Sequence, residues 1–154
     1  MERKSPTIKI WRRLLFVAYC LVMLWLLFIK NRQAGADWSQ MGQNMNLIPL
    51  KTVKLYLNVF RDPHLAYLIP HAIVNLAGNV VMFIPLGFFL AAEYAPKFRF
   101  WKVLLTTLGV ICIVEVAQLL LLVGSCDVDD LLLNLAGSLL GCIMYGVFSK
   151  YNKN

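Results

Sequence analysis

Charged residues are scarce in this 154-residue chain. Asp, Glu, Lys and Arg make up 15% of the sequence, whereas hydrophobic residues make up 60%, and the formal net charge is +7. A soluble domain is typically about a quarter charged and about half apolar. Because so few charged side chains are available to cover an apolar core, the composition excludes an ordinary soluble domain and predicts a membrane protein.

Histidine and cysteine are also rare, with two His and four Cys. There is no CxxC pair and no zinc-type spacing, and Cys20, Cys112 and Cys142 fall in apolar stretches, where a thiol is usually a packing residue. The sequence therefore excludes a disulfide framework, and we predict no cofactor and no bound metal. Basic and aromatic residues are not interleaved, so the positive charge predicts no nucleic-acid partner and instead fits membrane topology.

What the chain has in abundance is long apolar blocks. The last three blocks have 21 residues each, close to the ~20 needed to cross a bilayer. The first is shorter, but its basic flanking side chains can reach outward to the interface. We therefore predict an all-α, polytopic membrane protein, a four-helix transmembrane bundle forming one domain over residues 1–154. The predicted spans cover about residues 12–30, 72–92, 103–123 and 128–148.

The first block has a second interpretation, because a basic start followed by an apolar stretch also describes a signal peptide. Residues 34–36 read Ala-Gly-Ala, which resembles a cleavage site. Lys30 and Arg32, however, lie where a signal peptide prefers neutral residues. We therefore predict that this block is retained as a membrane span.

Basic residues are divided unequally between the two sides of the predicted bundle. With four spans, residues 1–13, the loop before the third span and the C-terminal tail share one side and hold ten Lys and Arg. The other side holds five, spread over the long loop of residues 31–71 and its flank. The positive-inside rule then predicts that both termini are cytoplasmic and that loop 31–71 is extracytoplasmic.

Part of the long loop has the spacing of an amphipathic helix. Val53, Leu57 and Phe60 recur at helical intervals over residues 50–61. Such a helix either lies in the headgroup layer or packs over the mouth of the bundle, and the sequence leaves both possibilities open. The other face of the predicted helix carries Lys51, Lys54, Asn58 and Arg61.

Prolines and small residues are predicted to shape the spans. Pro63 and Pro70 should break the chain before the second span, and Pro85 should kink that span or free a carbonyl within it. Gly137 and Gly141 form a GxxxG pair, which predicts a close-packing face and a possible homodimer through it.

Polar residues interrupt the last three spans despite their cost, which is about 2.5 to 3.5 kcal/mol for an Asp at a helix centre. In each span, members of the set are three or four residues apart and so share a face. The predicted threading places all of them toward the outer end of the bundle. The set comprises Asn75, Asn79, Glu115, Gln118, Asp127, Asp129, Asp130 and Asn134.

This clustering favours an outward-facing polar pocket over simple helix pairing. Hydrogen bonds between membrane helices contribute only about 0.6 kcal/mol on average, less than the insertion cost. Glu115 is the deepest acid, and we expect it to carry a proton or to pair with a basic group such as His71 or Arg61. Asp127 has a structural alternative, because a carboxylate before a helix can cap its free N–H groups.

These motifs resemble those of the VanZ-like family. Asn46-Leu47-Ile48-Pro49-Leu50 is similar to its N-L-x-P motif, and Asn79 with residues 83–87 is similar to its N-x3-F-x-P-x-G helix. Glu115 with Gln118 matches its E-x-x-Q pair, and residues 127–137 match its D-x-D-D-x3-N-x2-G run. The resemblance covers about residues 8–148. It departs at Gly124 and Ser125, where many members carry a basic residue.

The resemblance implies a protein of the bacterial cytoplasmic membrane and adds Asn46 and Pro49 to the candidate site. The founding member of the family is associated with resistance to glycopeptide antibiotics, notably teicoplanin. The expected function is therefore antibiotic resistance through a polar pocket that binds a membrane lipid headgroup or a lipid-linked cell-wall precursor.

Two other functions stay open at this point. A membrane-embedded enzyme acting on a lipid-linked substrate would use Glu115 and Asp130 as an acid/base pair or as Mg²⁺ ligands. No nucleophile motif accompanies them, since His64 and His71 are the only histidines. A transporter is the third hypothesis, although polar residues confined to one end do not form a path across the membrane.

Overall fold

A computed structural model describes residues 6–30, 45–95, 100–123 and 126–151 of the chain. Several residues used above lie outside the described residues, so the predictions that rest on them stay predictions. These are the cleavage-like residues 34–36, the pair Gly124 and Ser125, and the basic residues Arg3, Lys4, Arg32, Lys97, Arg99 and Lys153.

The described residues are almost entirely helical. Four of their helices are long and apolar enough to cross a membrane, over Lys9–Ile29, Pro63–Tyr94, Phe100–Leu120 and Val128–Tyr151. The prediction of an all-α, polytopic bundle is confirmed. In chain order the elements are α1 (Pro6–Leu24), a π-helical turn (Trp25–Lys30), β1 (Met45–Asn46), α2 (Lys51–Val59), a 3₁₀ helix (Pro63–Leu68), α3 (Ile69–Tyr94), α4 (Phe100–Leu120), β2 (Cys126–Asp127) and α5 (Val128–Tyr151).

The prediction that Pro63 and Pro70 break the chain before the second span holds for Pro63, which follows the turn after α2, but was wrong for Pro70. Pro63 opens the 3₁₀ helix and Pro70 lies in the first turn of α3, so the two helices follow one another without a gap. Proline is tolerated there because the first N–H groups of a helix have no partner within the helix. The span that contains α4 is also displaced: it runs over residues 100–120, three residues earlier than predicted.

Helices α3 and α5 touch through their backbones. A Cβ atom added at Gly137 would overlap the carbonyl oxygen of Val80, and one added at Gly141 would overlap that of Ile84. Both glycines are buried, so only a residue without a side chain fits at either position. The glycine face predicted to support a homodimer is therefore occupied by α3 of the same chain. Homodimer formation itself stays a prediction.

Helix α1 is joined to the bundle at three levels. Near one end, Arg12 forms an ion pair with Glu93 of α3 at 2.7 Å. In the middle, the hydroxyl of Tyr19 donates to the carbonyl of Met82, at 2.8 Å, three residues before Pro85. The third contact, at the other end, is a hydrogen bond from the Gln118 amide on α4 to the Leu27 carbonyl in the π-helical turn. Retention of the first span stays a prediction. Helix α3 continues as one helix through Pro85.

The apolar core lies among α1, α3 and α4. Met23, Phe83, Leu86 and Ile111 are buried against one another there. Large apolar side chains of all four spanning helices face outward in numbers that water would not tolerate, so the exterior fits a lipid solvent. Examples are Leu21, Val81, Leu105, Ile113 and Ile143.

Candidate functional site

The end of the bundle at which α3 and α5 begin and α4 ends is here called the polar end. The long loop is tied to it by a short parallel pairing between β1 and β2. Met45 pairs with Cys126, and Asn46 pairs with Asp127. This pairing brings Asn46 to the start of α5, although 81 residues separate it from Asp127 along the chain.

Asp129 holds the beginning of α2. Its side chain is fully buried, and its carboxylate accepts hydrogen bonds from the backbone N–H groups of Leu50, Thr52 and Val53, the last two at 2.7 and 3.1 Å. Helix α2 has no side-chain cap of its own, so Asp129 on α5 supplies one from a distant part of the chain. A carboxylate in this position satisfies free donors and interacts favourably with the helix dipole.

The turn that leads into α2 explains the role of Pro49. Its side chain is exposed, and the backbone N–H of Lys51 donates to the carbonyl of Ile48 at 3.3 Å across the turn. Leu50 has φ of 64°, in the left-handed region that normally favours glycine. Proline followed by a residue with positive φ is the pattern of a type II turn. Pro49 therefore shapes the approach to Asp129 and makes no polar contact itself.

Asp127 links three segments of the chain. One carboxylate oxygen accepts from the Asn46 amide at 3.0 Å and from the backbone N–H of Asp129 at 2.8 Å. The other accepts from the Thr52 hydroxyl at 2.6 Å. The bond to the Asp129 N–H places Asp127 as the N-terminal cap of α5, as its structural alternative predicted. Asp127 and Asp129 together fasten α2 across the start of α5.

Asp130 faces α3 rather than α2. The side-chain amide of Asn79 donates to its Oδ1 at 2.5 Å, so the two motif residues from separate spans are in direct contact. Asp130 is partly buried, and within the described residues no lysine or arginine pairs with it. Among the described residues only the Asn79 amide bonds to this carboxyl group, which is weak compensation for a carboxylate inside a membrane protein.

Glu115 lies beneath this group on α4. It is 6% exposed, and its carboxylate accepts one long hydrogen bond, 3.3 Å, from the backbone N–H of Asp127. Neither suggested partner reaches it in the described part of the chain: His71 packs its ring against Tyr56, and Arg61 is exposed. The expected ion pair with either residue is therefore not formed.

The spacing of Gln118 and Glu115 predicted that both side chains belong to one site. The Gln118 side chain instead contacts the turn that follows α1. Its amide donates to the carbonyl of Leu27 at 3.0 Å, within the π-helical turn that follows α1. This is the third level at which α1 is joined to the bundle. Gln118 thus holds helices together, and the structure does not place it among the carboxylates by any hydrogen bond.

Asn75 and Asn134 carry buried amide oxygens that have no hydrogen-bond partner within the described residues. Asn134 is 3% exposed and lies one turn after Asp130 on α5; Asn75 lies one turn before Asn79 on α3. An unsatisfied buried oxygen costs about 1 to 3 kcal/mol and needs an explanation such as an absent ligand. Both oxygens would accept a hydrogen bond from a donor placed between α3 and α5.

Two side chains that sequence motifs did not identify belong to this region. Thr52 bonds to Asp127, and the Tyr56 ring packs edge-on against His71 with centroids 5.7 Å apart. Burial raises the pKa of Tyr56 above its ordinary value, and the charges of Asp130 and Asp127 raise it further. In the sequence, the only sign that Thr52 and Tyr56 act together is their spacing of one helical turn on α2. That spacing does not identify them as site residues unless the position of α2 over α5 is known.

Burial also raises the pKa of Cys126, and the nearby charges of Glu115 and Asp127 act in the same direction. The thiol therefore stays protonated to a higher pH than an exposed cysteine. A protonated thiol is a poor nucleophile, so the polar end does not activate Cys126.

The cavity and metal-ligand geometry near these residues can be described for the part of the chain that the structure covers. A half-open cavity near the polar end is lined by Phe28, Ile29, Leu121 and Val123, none of which was predicted as a site residue. Among the residues that the structure describes, no group of three or more His, Cys, Asp or Glu could hold a metal ion. The polar residues thus meet by direct hydrogen bonding, leaving Asp130, Glu115, Asn75 and Asn134 with unused acceptor capacity.

Comparison with known proteins gives a family for this arrangement. A family model described as VanZ/LLP1 matches residues 16–149. The chain is 27% identical to Protein VanZ of Enterococcus faecium over 151 residues, an alignment that covers 93% of this chain and 78% of that relative. No solved structure matches the chain significantly.

Proposed function

This chain belongs to the VanZ/LLP1 family, and we propose that its polar end binds a polar group rich in hydrogen-bond donors. The group would be a membrane lipid headgroup or part of a lipid-linked cell-wall precursor. We further propose a multi-pass protein of the bacterial cytoplasmic membrane, with both termini cytoplasmic and the polar end facing outward. The charge distribution of the loops supports this orientation.

The observation that carries the proposal is an excess of acceptors over donors. Four carboxylates lie at the polar end, and in the described part of the chain no lysine or arginine pairs with them. The oxygen of Asn134 adds a fully buried acceptor without a partner. A bound ammonium, hydroxyl or amide group would supply the missing donors, and charge-assisted hydrogen bonds are the stronger kind.

The residues divide into two roles under this proposal. Asp127 and Asp129 have their oxygens occupied by Asn46, Thr52 and backbone N–H groups, so they position α2. Asp130, Glu115 and Asn134 keep free acceptor capacity and would contact the ligand. Asn79 would orient Asp130 through the hydrogen bond between them.

We propose that this site contributes to glycopeptide resistance of the teicoplanin type, which is the function that the resemblance to the VanZ-like family implies. The proposed connection is that binding of a precursor or headgroup at the outer membrane surface changes how an amphiphilic antibiotic meets its target. The proposal places Asp130 at the centre of that binding.

The test compares antibiotic susceptibility with protein level. Cells that produce the wild-type chain should tolerate teicoplanin better than cells producing Asp130→Asn, while membrane extracts contain equal amounts of both proteins. Glu93→Gln is the matched control, because it removes one carboxylate at the opposite end, and it should retain resistance. Loss of resistance only in proportion to loss of protein would instead assign Asp130 a structural role.

An enzyme remains the competing function, because Asp130 and Glu115 are two partly uncompensated carboxylates at one end of the bundle. Purified protein incubated with a radiolabelled lipid-linked precursor separates the two functions. Retention of the unchanged lipid supports binding alone, whereas conversion that stops in Asp130→Asn would establish catalysis.

A further inference from the structure

Helix α2 is attached to the first turns of two membrane spans. Its beginning is held by Asp129 in the first turn of α5. Farther along α2, Tyr56 packs on His71, which lies in the first turn of α3. Because these contacts are made in the first turns of α5 and α3, α2 lies across the polar end of the bundle.

The side of α2 that faces the bundle shares only Val53, which is half-buried, with the apolar face predicted from the sequence. Thr52, Tyr56 and Val59 recur at intervals of four and three residues and are the other side chains turned inward, with Val59 only 3% exposed. Leu57 and Phe60 belong to the predicted apolar face and remain 46% exposed each. Packing over the bundle therefore leaves an apolar face of α2 without a partner.

The exposed apolar surface continues into the turn before α2. Leu47, Ile48 and Leu50 are 65%, 62% and 47% exposed, respectively. Together with Leu57 and Phe60 they form what we call the apolar rim. An exposed cluster of large apolar side chains next to a membrane span is stable when it enters the acyl boundary of the lipid.

Basic side chains flank the apolar rim. Lys51, Lys54 and Arg61 are exposed, and within the described residues none of them forms an ion pair. The neighbouring acid, Asp62, accepts a hydrogen bond from the backbone N–H of His64 and caps the 3₁₀ helix. The apolar rim therefore lies next to a group of side chains with a net positive charge.

We infer that α2 and the apolar rim bind anionic phospholipid of the leaflet at the polar end. Leu57 and Phe60 enter the acyl boundary, and the two lysines with Arg61 lie at the level of the phosphates. Each lysine or arginine near an anionic surface raises the preference for anionic lipid roughly fivefold. This surface is separate from the acceptor-rich site between α3 and α5, which has the opposite charge, and the inference does not depend on the proposed function.

Photo-crosslinking in nanodiscs tests the inference with the full chain. The photoreactive substitution Leu57→p-benzoylphenylalanine is compared with Asn58→p-benzoylphenylalanine, which is adjacent and also exposed but on the basic side of α2. Nanodiscs contain phosphatidylcholine alone or with phosphatidylglycerol, and mass spectrometry identifies the adducts. Position 57 should form mainly phospholipid adducts, in clear excess over position 58.

Lysine removal measures the charge preference. In the mixed nanodiscs, Lys51→Gln with Lys54→Gln should lower the ratio of phosphatidylglycerol to phosphatidylcholine adducts at position 57 by roughly fivefold for each lysine. Lys150→Gln, at the opposite end of the bundle, should leave the ratio unchanged. Equal adducts at positions 57 and 58, adducts to a second protein chain, or a ratio insensitive to the two lysines would each overturn the inference.

Discussion

The two ends of the bundle satisfy their carboxylates differently. At the end opposite to the polar end, Glu93 is about half exposed and forms ion pairs with Arg12 at 2.7 Å and Arg13 at 3.6 Å. At the polar end the acids are mostly buried, and amide and backbone N–H groups take the place of arginine. Where a cation already neutralises an acid, no ligand is required, which is why the proposed binding of donor groups is assigned to the polar end.

A second contrast exists within the polar end itself. Asp129 accepts three backbone hydrogen bonds, whereas Asp130, the next residue, accepts one from Asn79. Consecutive residues on a helix point about 100° apart, so one carboxylate faces α2 and the other faces α3. Replacing Asp129 is therefore expected to lower stability, whereas replacing Asp130 is expected to reduce the proposed binding.

The largest expected effect is on stability, from Asp129→Ala. The substitution leaves the N–H groups of Leu50, Thr52 and Val53 without their acceptor, at about 1 to 3 kcal/mol for each buried group. Thermal unfolding of the purified protein should shift strongly downward, and amide hydrogen exchange should accelerate over residues 50–53. If Asp129→Ala unfolds at the wild-type temperature, the structural role of this carboxylate is refuted.

A small effect is expected from Glu93→Gln at the opposite end. The ion pairs with Arg12 and Arg13 are partly exposed, and such pairs contribute about 0 to 1 kcal/mol. The difference in unfolding temperature from wild type should be slight and should vanish as salt is raised, because salt screens exposed charges. If Glu93→Gln lowered the unfolding temperature as much as Asp129→Ala, the two ends of the bundle would depend equally on their carboxylates, which would contradict this comparison.

The smallest effect concerns the pH at which Cys126 reacts. Its raised pKa means that the folded protein holds the thiol proton above the ordinary value of 9.0, so alkylation by maleimide should require a higher pH than for an exposed cysteine. The measurement uses a chain in which Cys20, Cys112 and Cys142 are replaced by Ala. Glu115→Gln should move the reaction profile toward lower pH, since it removes one nearby negative charge. An unchanged profile would mean that Glu115 does not influence this thiol.

The length and composition of the apolar blocks were sufficient to predict the spans, because lipid imposes both on a membrane-spanning helix. Motif spacing also pointed to Asn79 and Asp130, which the structure places in contact. It could not reveal that Gln118 turns to Leu27 of the first span. Residues three apart on one helix share a face, but the partner of each depends on which helix lies opposite.

The role of α2 could not be predicted from local sequence either. Its position depends on the pairing of Asn46 with Asp127 and on Asp129 as a cap, both contacts between residues more than 75 positions apart. The amphipathic pattern correctly predicted a helix, but it left open whether the apolar face lies in the headgroup layer or packs over the bundle. It could not indicate that the polar Thr52 packs inward, because that contact depends on Asp127, which accepts a hydrogen bond from the Thr52 hydroxyl.

Lipid retention by native mass spectrometry most directly tests whether Asp130 serves binding and not structure. Phosphatidylethanolamine carries N–H donors that phosphatidylcholine lacks, so the wild-type protein should retain it preferentially. Asp130→Asn should reduce that preference by about tenfold or more, the effect of losing a hydrogen bond to a charged group, while its unfolding temperature stays at the wild-type value. An equal preference in both proteins, or a parallel fall in stability, would contradict a ligand-binding role for Asp130.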